Sequence, residues 1–324
     1  MIHAIRIRQT GGPEVLNLEQ CALDAPGPGE VQVRHHAIGL NFIDIYHRTG
    51  LYPLPLPSGI GLEGAGVVEA IGPEVSGFSI GDRVAYAGGP PGAYSECRNL
   101  PAHRLLHLPE EISFETGAAM MLQGLTAAYL LRRTYRVQSG DTVLIHAAAG
   151  GVGLIACQWA KALGATVIGT VGSEAKAEIA RAHGCDHVID YRCGDFSAKV
   201  REITAGEGVP VVYDGVGQAT FNGSLDCLRP LGMMVSFGSA SGTVPPFDLL
   251  ELSRRGSLFL TRPALANYTA RREDLVALGD ALMDIVVSGQ VKIEVHQRYA
   301  LRDAAQAHRD LEARLTTAST VLLP

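Results

Sequence analysis

Short alternations of apolar and polar residues fill the first third of the chain. The clearest of them lie at residues 4–8, 31–34 and 64–71. Period-two alternation interrupted by Gly and Pro is typical of short antiparallel strands. Residues 1–122 are therefore predicted to form a twisted, β-barrel-like domain. A helix over 115–133, in two pieces meeting near Gly124, is predicted to mark its end.

A different pattern begins at residue 142. Residues 142–146 are a short, β-branched apolar run, which suits a buried strand, and 166–171 are a second such run. Between them, Ile155, Trp159 and Leu163 recur every four residues, as on one face of a helix. A strand, a helix and a strand within about thirty residues make one βαβ unit.

The turn between this first strand and the helix is built from small residues. It approximates the dinucleotide fingerprint G-x-G-x-x-G, with Ala148, Gly150 and Gly153 at the three glycine positions. Small side chains let backbone N–H groups approach a diphosphate, and the helix N-terminus adds a partial positive charge. A packing turn without a ligand is the alternative. Because a strand precedes the turn and a helix follows it, we predict a dinucleotide site.

Strands and helices continue to alternate up to about residue 263. Six strands are predicted, at 142–146, 166–171, 187–190, 209–214, 232–237 and 257–261. Further helices are predicted at 174–183, 196–204 and 218–228. Strands joined by helical crossovers form a doubly wound parallel sheet, so the predicted fold class is α/β with a Rossmann domain over 124–263.

The pattern changes again in the C-terminal tail. A helix over 272–288, a strand at 294–299, a helix over 301–313 and a strand at 320–323 are predicted there. A strand at the end of the chain needs a sheet to pair with, so we expect the tail to return to the first domain. The predicted catalytic domain therefore comprises 1–123 and 264–324.

Charge and cysteine usage narrow the class of protein. Lys and Arg number 27 and Asp and Glu 33, which gives a net charge of −6 without a long basic run. Phosphate backbones require clustered cations, so no nucleic-acid partner is expected.

The six cysteines form no C-x-x-C pair and are expected to be reduced. With no signal-peptide core and no run near the roughly 18 apolar residues of a membrane helix, a cytoplasmic protein is expected.

Several segments together resemble one known superfamily along almost the whole chain. They are GGPEVL at 11–16, NFID at 41–44, GLYPLPLPSGIGLEGAGVV at 50–68, GDRVAY at 81–86, GLTAAYLL at 124–131, HAAAGGVGLIACQWAKALGA at 146–165, VVYDGVG at 211–217 and GSLFLTRP at 256–263. The chain resembles the medium-chain dehydrogenase/reductase superfamily, and within it the zincless quinone oxidoreductases, the zeta-crystallin group.

This resemblance implies an architecture and a reaction. The architecture is a chaperonin-10-like β-barrel completed by the C-terminus, with the nucleotide-binding domain between and the active site in the interdomain cleft. The reaction is NADPH-dependent reduction of a quinone. The resemblance also suggests a homodimer joined through the edge strand near 257–261.

The residues after the second strand of the Rossmann domain favour NADPH over NADH. NAD-binding domains usually carry an acid there for the ribose 2′-hydroxyl, whereas residues 169–173 contain none. Lys176 follows one helical turn later, where a cation can meet a 2′-phosphate, and Glu174 is expected to point to solvent. The resemblance assigns the 2′-phosphate to residues matching Gly172, Ser173, Lys176, Tyr191 and Arg314.

The remaining cofactor contacts come from the resemblance, apart from Gly150 and Gly153, which the fingerprint already predicts. They are Asn41, Thr126, Tyr129, Gly150, Gly151, Val152, Gly153, Val216, Phe237, Ser241, Thr261, Arg262 and Pro263. Most lie where loops follow strands, as the fold predicts. For Arg262, a structural ion pair is the alternative.

No metal is expected at the active site. Zinc-dependent members of the superfamily use an early Cys, a G-H-E motif and a later Cys or Asp, whereas this chain has Gly61-Leu62-Glu63 and no early Cys near Asn41. Without a Lewis acid, an ordinary ketone is a poor hydride acceptor. A quinone or an α,β-unsaturated carbonyl needs less activation.

Three residues are the candidates for catalysis. The Asn41 amide could orient the substrate or donate to a developing oxyanion. Tyr46 and Tyr52 are interpreted either as proton donors and stacking surfaces or as aromatic packing, and Glu63 as structural. Two alternatives stay open: an NADPH-dependent enal or enone double-bond reductase, and a non-catalytic crystallin-like or RNA-binding protein.

Overall fold

The computed structural model describes residues 1–324 and divides the chain into two compact units. The first unit comprises Met1–Leu125, Thr269–Val287 and Ile293–Pro324. The second comprises Thr126–Tyr268 and Ser288–Lys292. The domain boundaries predicted at 123/124 and 263/264 lie within a few residues of the limits between these units, 125/126 and 268/269. Their status as domain boundaries stays a prediction. None of the helices combines the length and the apolar character that a bilayer-crossing segment needs.

The first unit is built around two β-sheets. Its strands, numbered in chain order, are β1 (Ile2–Ile7), β2 (Asn17–Cys21), β3 (Glu30–Leu40), β4 (Ser58–Gly59), β5 (Glu63–Ile71), β6 (Arg83–Ala87), β7 (Cys97–Pro101), β8 (Leu106–His107), β15 (Val295–Ala300) and β16 (Ser319–Leu323). A seven-stranded sheet runs β15-β16-β3-β5-β6-β8 with β7 also paired to β3, and a three-stranded sheet runs β2-β1-β4.

The C-terminal strand completes the larger sheet. β16 pairs antiparallel with β3, with Val321 opposite Gly39 and Leu322 opposite Ile38. Val321, Leu322 and Ile38 are fully buried, which is why a strand from the end of the chain is held in this core. The prediction that the tail returns to the first domain's sheet is confirmed.

Four helices accompany these sheets. They are α1 (Phe42–Thr49), α2 (Phe114–Tyr129, whose last residues belong to the second unit), α9 (Arg272–Val287) and α10 (Ala304–Glu312). The predicted break in α2 near Gly124 is wrong, because the helix continues to Tyr129 and then becomes a π-helical turn, Leu130–Thr134. A Cβ at Gly124 would meet the Leu282 side chain at 2.5 Å, so the glycine serves close packing of α2 against α9.

The second unit is a six-stranded parallel sheet with helices. Its strands are β9 (Thr142–Ile145), β10 (Thr166–Val171), β11 (His187–Asp190), β12 (Val209–Asp214), β13 (Leu228–Ser236) and β14 (Phe259–Thr261). Its helices are α3 (Gly151–Ala162), α4 (Glu174–Ala182), α5 (Phe196–Ile203), α6 (Phe221–Asp226), α7 (Leu250–Arg254) and α8 (Leu265–Tyr268). The strand order β11-β10-β9-β12-β13-β14 is that of a doubly wound dinucleotide-binding fold, and the predicted fold class is confirmed.

Candidate active site

Most of the predicted nucleotide contacts lie at one edge of the parallel sheet. Parallel strands place all their carboxyl ends together, and ligands of open α/β sheets bind there. The residues that follow β9, β10, β11, β12, β13 and β14 include, in that order, Gly150–Gly153, Gly172–Lys176, Tyr191, Val216, Phe237–Ser241 and Arg262–Pro263. The strand order thus brings segments distant in sequence to a common edge.

The turn between β9 and α3 is suited to an anion. Gly150 precedes α3 in an extended conformation, and Leu154 N–H donates the first helical bond to Gly150 C=O at 2.8 Å. The N–H groups of the first turn therefore have no intrahelical partner. A Cβ at Gly153 would collide with the Ala147 carbonyl oxygen and lie 2.9 Å from Ala148 Cα. Only glycine at this position lets helix and turn approach so closely, as the fingerprint requires.

Four of the five residues predicted to hold the 2′-phosphate lie in the segments that follow β10 and β11: Gly172, Ser173, Lys176 and Tyr191. Ser173 is the N-cap of α4, and its Oγ accepts a bond from Lys176 N–H at 3.3 Å. The Tyr191 hydroxyl lies directly over Gly172, where a Cβ would collide with it. Glu174 is exposed and pairs with Arg181 at 2.8 Å, so it faces solvent as predicted. This position thus combines a tyrosine hydroxyl with a helix N-terminus, has Lys176 in the first turn of α4, and has no carboxylate at the end of β10.

Asp214 ties together the loops that follow β12 and β13. One carboxylate oxygen accepts Val216 N–H at 2.8 Å and Gly217 N–H at 3.0 Å. Ser241 in turn donates to Val216 C=O from both its N–H and its Oγ. These bonds hold two predicted cofactor contacts, Val216 and Ser241, next to each other.

Arg262 anchors the loop after β13. Its Nη1 donates to Ser236 C=O at 3.0 Å and to Gly238 C=O at 2.8 Å. Both of these partners are backbone carbonyls, so these two bonds give Arg262 a structural role, and the ion pair stays an alternative prediction. Tyr129 lies in the same unit, where its ring stacks on Tyr268 with centroids 4.3 Å apart.

A buried polar network lies near the carboxyl ends of the parallel strands and was not predicted from the sequence. His146 Nδ1 lies 2.7 Å from Thr170 Oγ1, and its Nε2 lies 2.9 Å from Ser224 Oγ. Ser224 donates to Asp214 at 3.0 Å. Burial lowers the pKa of His146, which favours a neutral ring, while Asp214 opposes that shift. The network ties β9 to β10 and β12, and its burial makes it a support rather than a nucleophilic triad.

The predicted catalytic residues lie in the first unit, on and around α1. Tyr46 is buried and contacts the half-buried Tyr52 edge to face, with ring centroids 5.2 Å apart. Asn41 caps α1, where its backbone N–H donates to Asp44 at 2.9 Å. Arg314 also belongs to this unit, in an exposed segment after α10.

The Asn41 side chain is part of a buried cluster with Glu63. Asn41 Nδ2 donates to Glu63 Oε2 at 2.6 Å, and Gln123 Nε2 donates to Asn41 Oδ1 at 3.1 Å. Leu122 N–H donates to the other Glu63 oxygen at 2.7 Å. Burial raises the pKa of Glu63 to about 8, while the bonds from Leu122 and Asn41 oppose that shift. The role of Gln123 was missed, since nothing in its local sequence indicates it.

These residues do not fit the zinc site of related dehydrogenases. The position of the motif histidine is occupied by Leu62, which is buried and has no metal-binding atom. Both oxygens of the neighbouring Glu63 accept N–H bonds instead. No three His, Cys, Asp or Glu side chains lie together in a way that could hold a metal ion.

The chain matches known proteins along its whole length. Residues 27–110 match the alcohol dehydrogenase GroES-like domain and 151–272 the zinc-binding dehydrogenase family. A quinone oxidoreductase from Pseudomonas aeruginosa is 55% identical over 325 residues, which cover all of both chains. The chain belongs to the quinone oxidoreductase family. The resemblance to the zeta-crystallin group of medium-chain dehydrogenases/reductases is thereby confirmed.

Two other members of this family bear on the reaction. The crystal structure of Escherichia coli quinone oxidoreductase complexed with NADPH has a TM-score of 0.98 and 49% identity, covering 99% of this chain and 100% of that one. A 2-haloacrylate reductase from a Burkholderia species is 48% identical, covering 100% of this chain and 99% of its own. The family therefore includes both a quinone reductase and a reductase of an activated alkene.

Proposed function

We propose that this chain catalyses the NADPH-dependent reduction of quinones without a metal ion. The observation that carries the proposal is the whole-chain match to a quinone oxidoreductase whose structure contains NADPH. The small-residue turn before α3 and the cluster of Gly172, Ser173, Lys176 and Tyr191 support it, since both fit a phosphorylated dinucleotide.

The nucleotide would be held mainly by the second unit. The α3 N-terminus would hold the diphosphate, and Lys176, with Ser173 and Tyr191, the 2′-phosphate. When bound, NADPH supplies the hydride that the quinone accepts. Thr126, Tyr129, Val216, Phe237, Ser241, Thr261, Arg262 and Pro263 are proposed as further contacts from that unit, and Asn41 and Arg314 as contacts from the first.

The chain's own contribution to the chemistry is positioning and hydrogen bonding. Asn41 Nδ2 carries one N–H beyond the one donated to Glu63, and we assign it to the substrate oxygen on which negative charge develops. Tyr46 and Tyr52 would stack on the flat acceptor or return a proton. A quinone suits such a site because it accepts a hydride without a Lewis acid.

The acceptor can be tested by comparing substrates. We expect the purified chain to oxidise NADPH rapidly with a benzoquinone or naphthoquinone and slowly with an alkenal or 2-haloacrylate, as followed by NADPH absorbance. The second candidate function, alkene reduction, is favoured by the similarity to the 2-haloacrylate reductase. Faster turnover of the alkenes than of the quinones would replace the first proposal by the second.

We also propose that the chain is a cytoplasmic homodimer. Its six cysteines are free, as is usual in a reducing compartment. Strand β14 lies at the edge of the parallel sheet, and Phe259 (56% exposed), Leu260 (37%) and Leu231 (67%) leave an apolar surface there. Pairing of two such edges about a twofold axis would cover both the unpaired backbone groups and this surface.

Replacing Phe259 by glutamate is expected to convert the dimer into a monomer. A charge on each copy would meet its symmetry mate across the proposed interface. Light scattering should give twice the 34.3 kDa chain mass for the wild type and the single mass for Phe259→Glu. Ile80→Glu, which changes an even more exposed apolar residue of the first unit, should stay dimeric. A dimer unaffected by Phe259→Glu would place the interface elsewhere.

A further inference from the structure

Four buried polar side chains of the first unit form one continuous chain of hydrogen bonds, which we call the amide relay: Ser319, Gln123, Asn41 and Glu63. Ser319 Oγ donates to Gln123 Oε1 at 2.7 Å, and Gln123 Nε2 donates to Asn41 Oδ1 at 3.1 Å. Asn41 Nδ2 then donates to Glu63 Oε2 at 2.6 Å. The relay links β16, α2, the start of α1 and β5.

The direction of these bonds is set at the Glu63 end. In its ionised form Glu63 has only acceptors, and its second oxygen accepts the fixed backbone N–H of Leu122 at 2.7 Å. Asn41 must therefore turn its nitrogen, and not its oxygen, toward Glu63. Its oxygen then faces Gln123, which must present nitrogen, and the Ser319 hydroxyl satisfies the remaining Gln123 oxygen.

The backbone around Glu63 is shaped to keep the carboxylate in this position. A Cβ on Gly39 would collide both with Glu63 Oε2 and with the Ala118 carbonyl oxygen, so glycine is required for the carboxylate to reach Asn41. From this position Glu63 Oε2 lies 2.6 Å from Asn41 Nδ2. Reversing the Asn41 amide would set its oxygen against an oxygen of the ionised Glu63 in a buried site, which is costly.

We propose that Glu63 and Gln123 are positioning residues, which together decide that Asn41 presents an N–H donor rather than an oxygen to the substrate. This inference rests on the proposed function, in which the second N–H of Asn41 Nδ2 meets the substrate oxygen. Asn41 is the catalytic residue, and the relay acts only through it.

Exchanging the two partners of Asn41, Glu63 and Gln123, tests this directly. In the double variant Glu63→Gln with Gln123→Glu, the new amide accepts from Leu122 and donates to Asn41 Oδ1, while the new carboxylate accepts from Asn41 Nδ2 and Ser319. The three contacts within the relay and the bond from Leu122 are kept, but the Asn41 amide is reversed. We expect a thermal midpoint close to that of the wild type and a kcat for quinone reduction about 10²-fold lower, as for loss of an oxyanion donor.

The assay is made at about pH 9, above the raised pKa of Glu63, so that most of the wild-type Glu63 is ionised. In an Asn41→Ala background the exchange should leave kcat unchanged, because there is no amide left to reverse. A purely structural role for the pair predicts the same loss with and without Asn41, and that result would overturn the proposal. Unchanged kcat in the double variant would overturn it too.

NMR spectroscopy can report the orientation of the Asn41 amide without an activity assay. In isotope-labelled wild type, an Asn41 side-chain amide proton should show a nuclear Overhauser effect to the Leu122 amide proton, since both donate to Glu63. In the double variant, this contact should move to the Ser319 β-protons; its persistence at Leu122 would refute the relay. If the double variant does not fold, the nearly isosteric single variant Glu63→Gln should give the same reversal of the Asn41 amide.

Failure of the wild type to reduce quinones would instead reject the proposed function.

Discussion

Replacing Asn41 by alanine is expected to lower kcat for quinone reduction about 10²- to 10³-fold, the loss found when one oxyanion donor is removed. Hydride addition to a ring carbon leaves negative charge on the quinone oxygen, and the N–H of Asn41 is the donor we assign to it. The Asn41 amide is hydrogen-bonded on both sides, by Glu63 and by Gln123. It is therefore already oriented before the reaction, and no free energy is needed to orient it in the transition state. Steady-state rates at saturating NADPH measure the effect.

The Asn41 variant also loses two buried hydrogen bonds, so its folding must be checked. We expect a stability loss of about 1–3 kcal/mol with the fold retained, because Glu63 and Gln123 lose a partner. Asn267→Ala, at an exposed position, is the matched control and should alter neither kcat nor the thermal midpoint. Normal turnover in Asn41→Ala would remove this residue from the catalytic assignment.

Replacing Lys176 by alanine is expected to weaken NADPH binding about 10- to 100-fold, the worth of one hydrogen bond to a charged group. Lys176 lies in the first turn of α4, next to its cap Ser173 and near the position of Tyr191. NADH lacks the 2′-phosphate, so its affinity should change little. Fluorescence titration with both nucleotides measures the two dissociation constants.

Lys199→Ala provides the control for Lys176, since Lys199 is an exposed lysine of α5 in the same unit. It should leave both dissociation constants as in the wild type. Equal weakening of NADPH and NADH by Lys176→Ala would show that the lysine supports the fold of α4 or binds a shared part of the nucleotides, and the 2′-phosphate assignment would then be wrong.

The nucleotide-binding unit was predictable because its signals are local. The apolar runs at 142–146 and 166–171 and the small residues between them specify one βαβ unit. The same alternation predicted all six parallel strands, and their order follows from the fold class. Local signals were also available for α1, which has Asn41 as its N-cap and Gly50 as its C-cap, but this helix was not predicted.

The amide relay could not be predicted in the same way. Asn41, Glu63, Gln123 and Ser319 lie on four separate elements, and only their pairing in the folded first unit makes them neighbours. Sequence likeness to the zinc motif indicated a structural Glu63, but not which atoms it contacts. Gly124 shows the same limit, since its packing against Leu282 depends on a helix more than 140 residues away in the sequence.

A single-turnover experiment tests the central proposal most directly. Protein dialysed against a chelator, with its zinc content measured, is loaded with NADPH and mixed with a benzoquinone in a stopped-flow instrument. We predict rapid loss of NADPH absorbance with matching formation of hydroquinone, at a rate that added zinc does not change. No oxidation of NADPH, or oxidation that appears only after zinc is restored, would contradict the proposal that this chain reduces quinones without a metal.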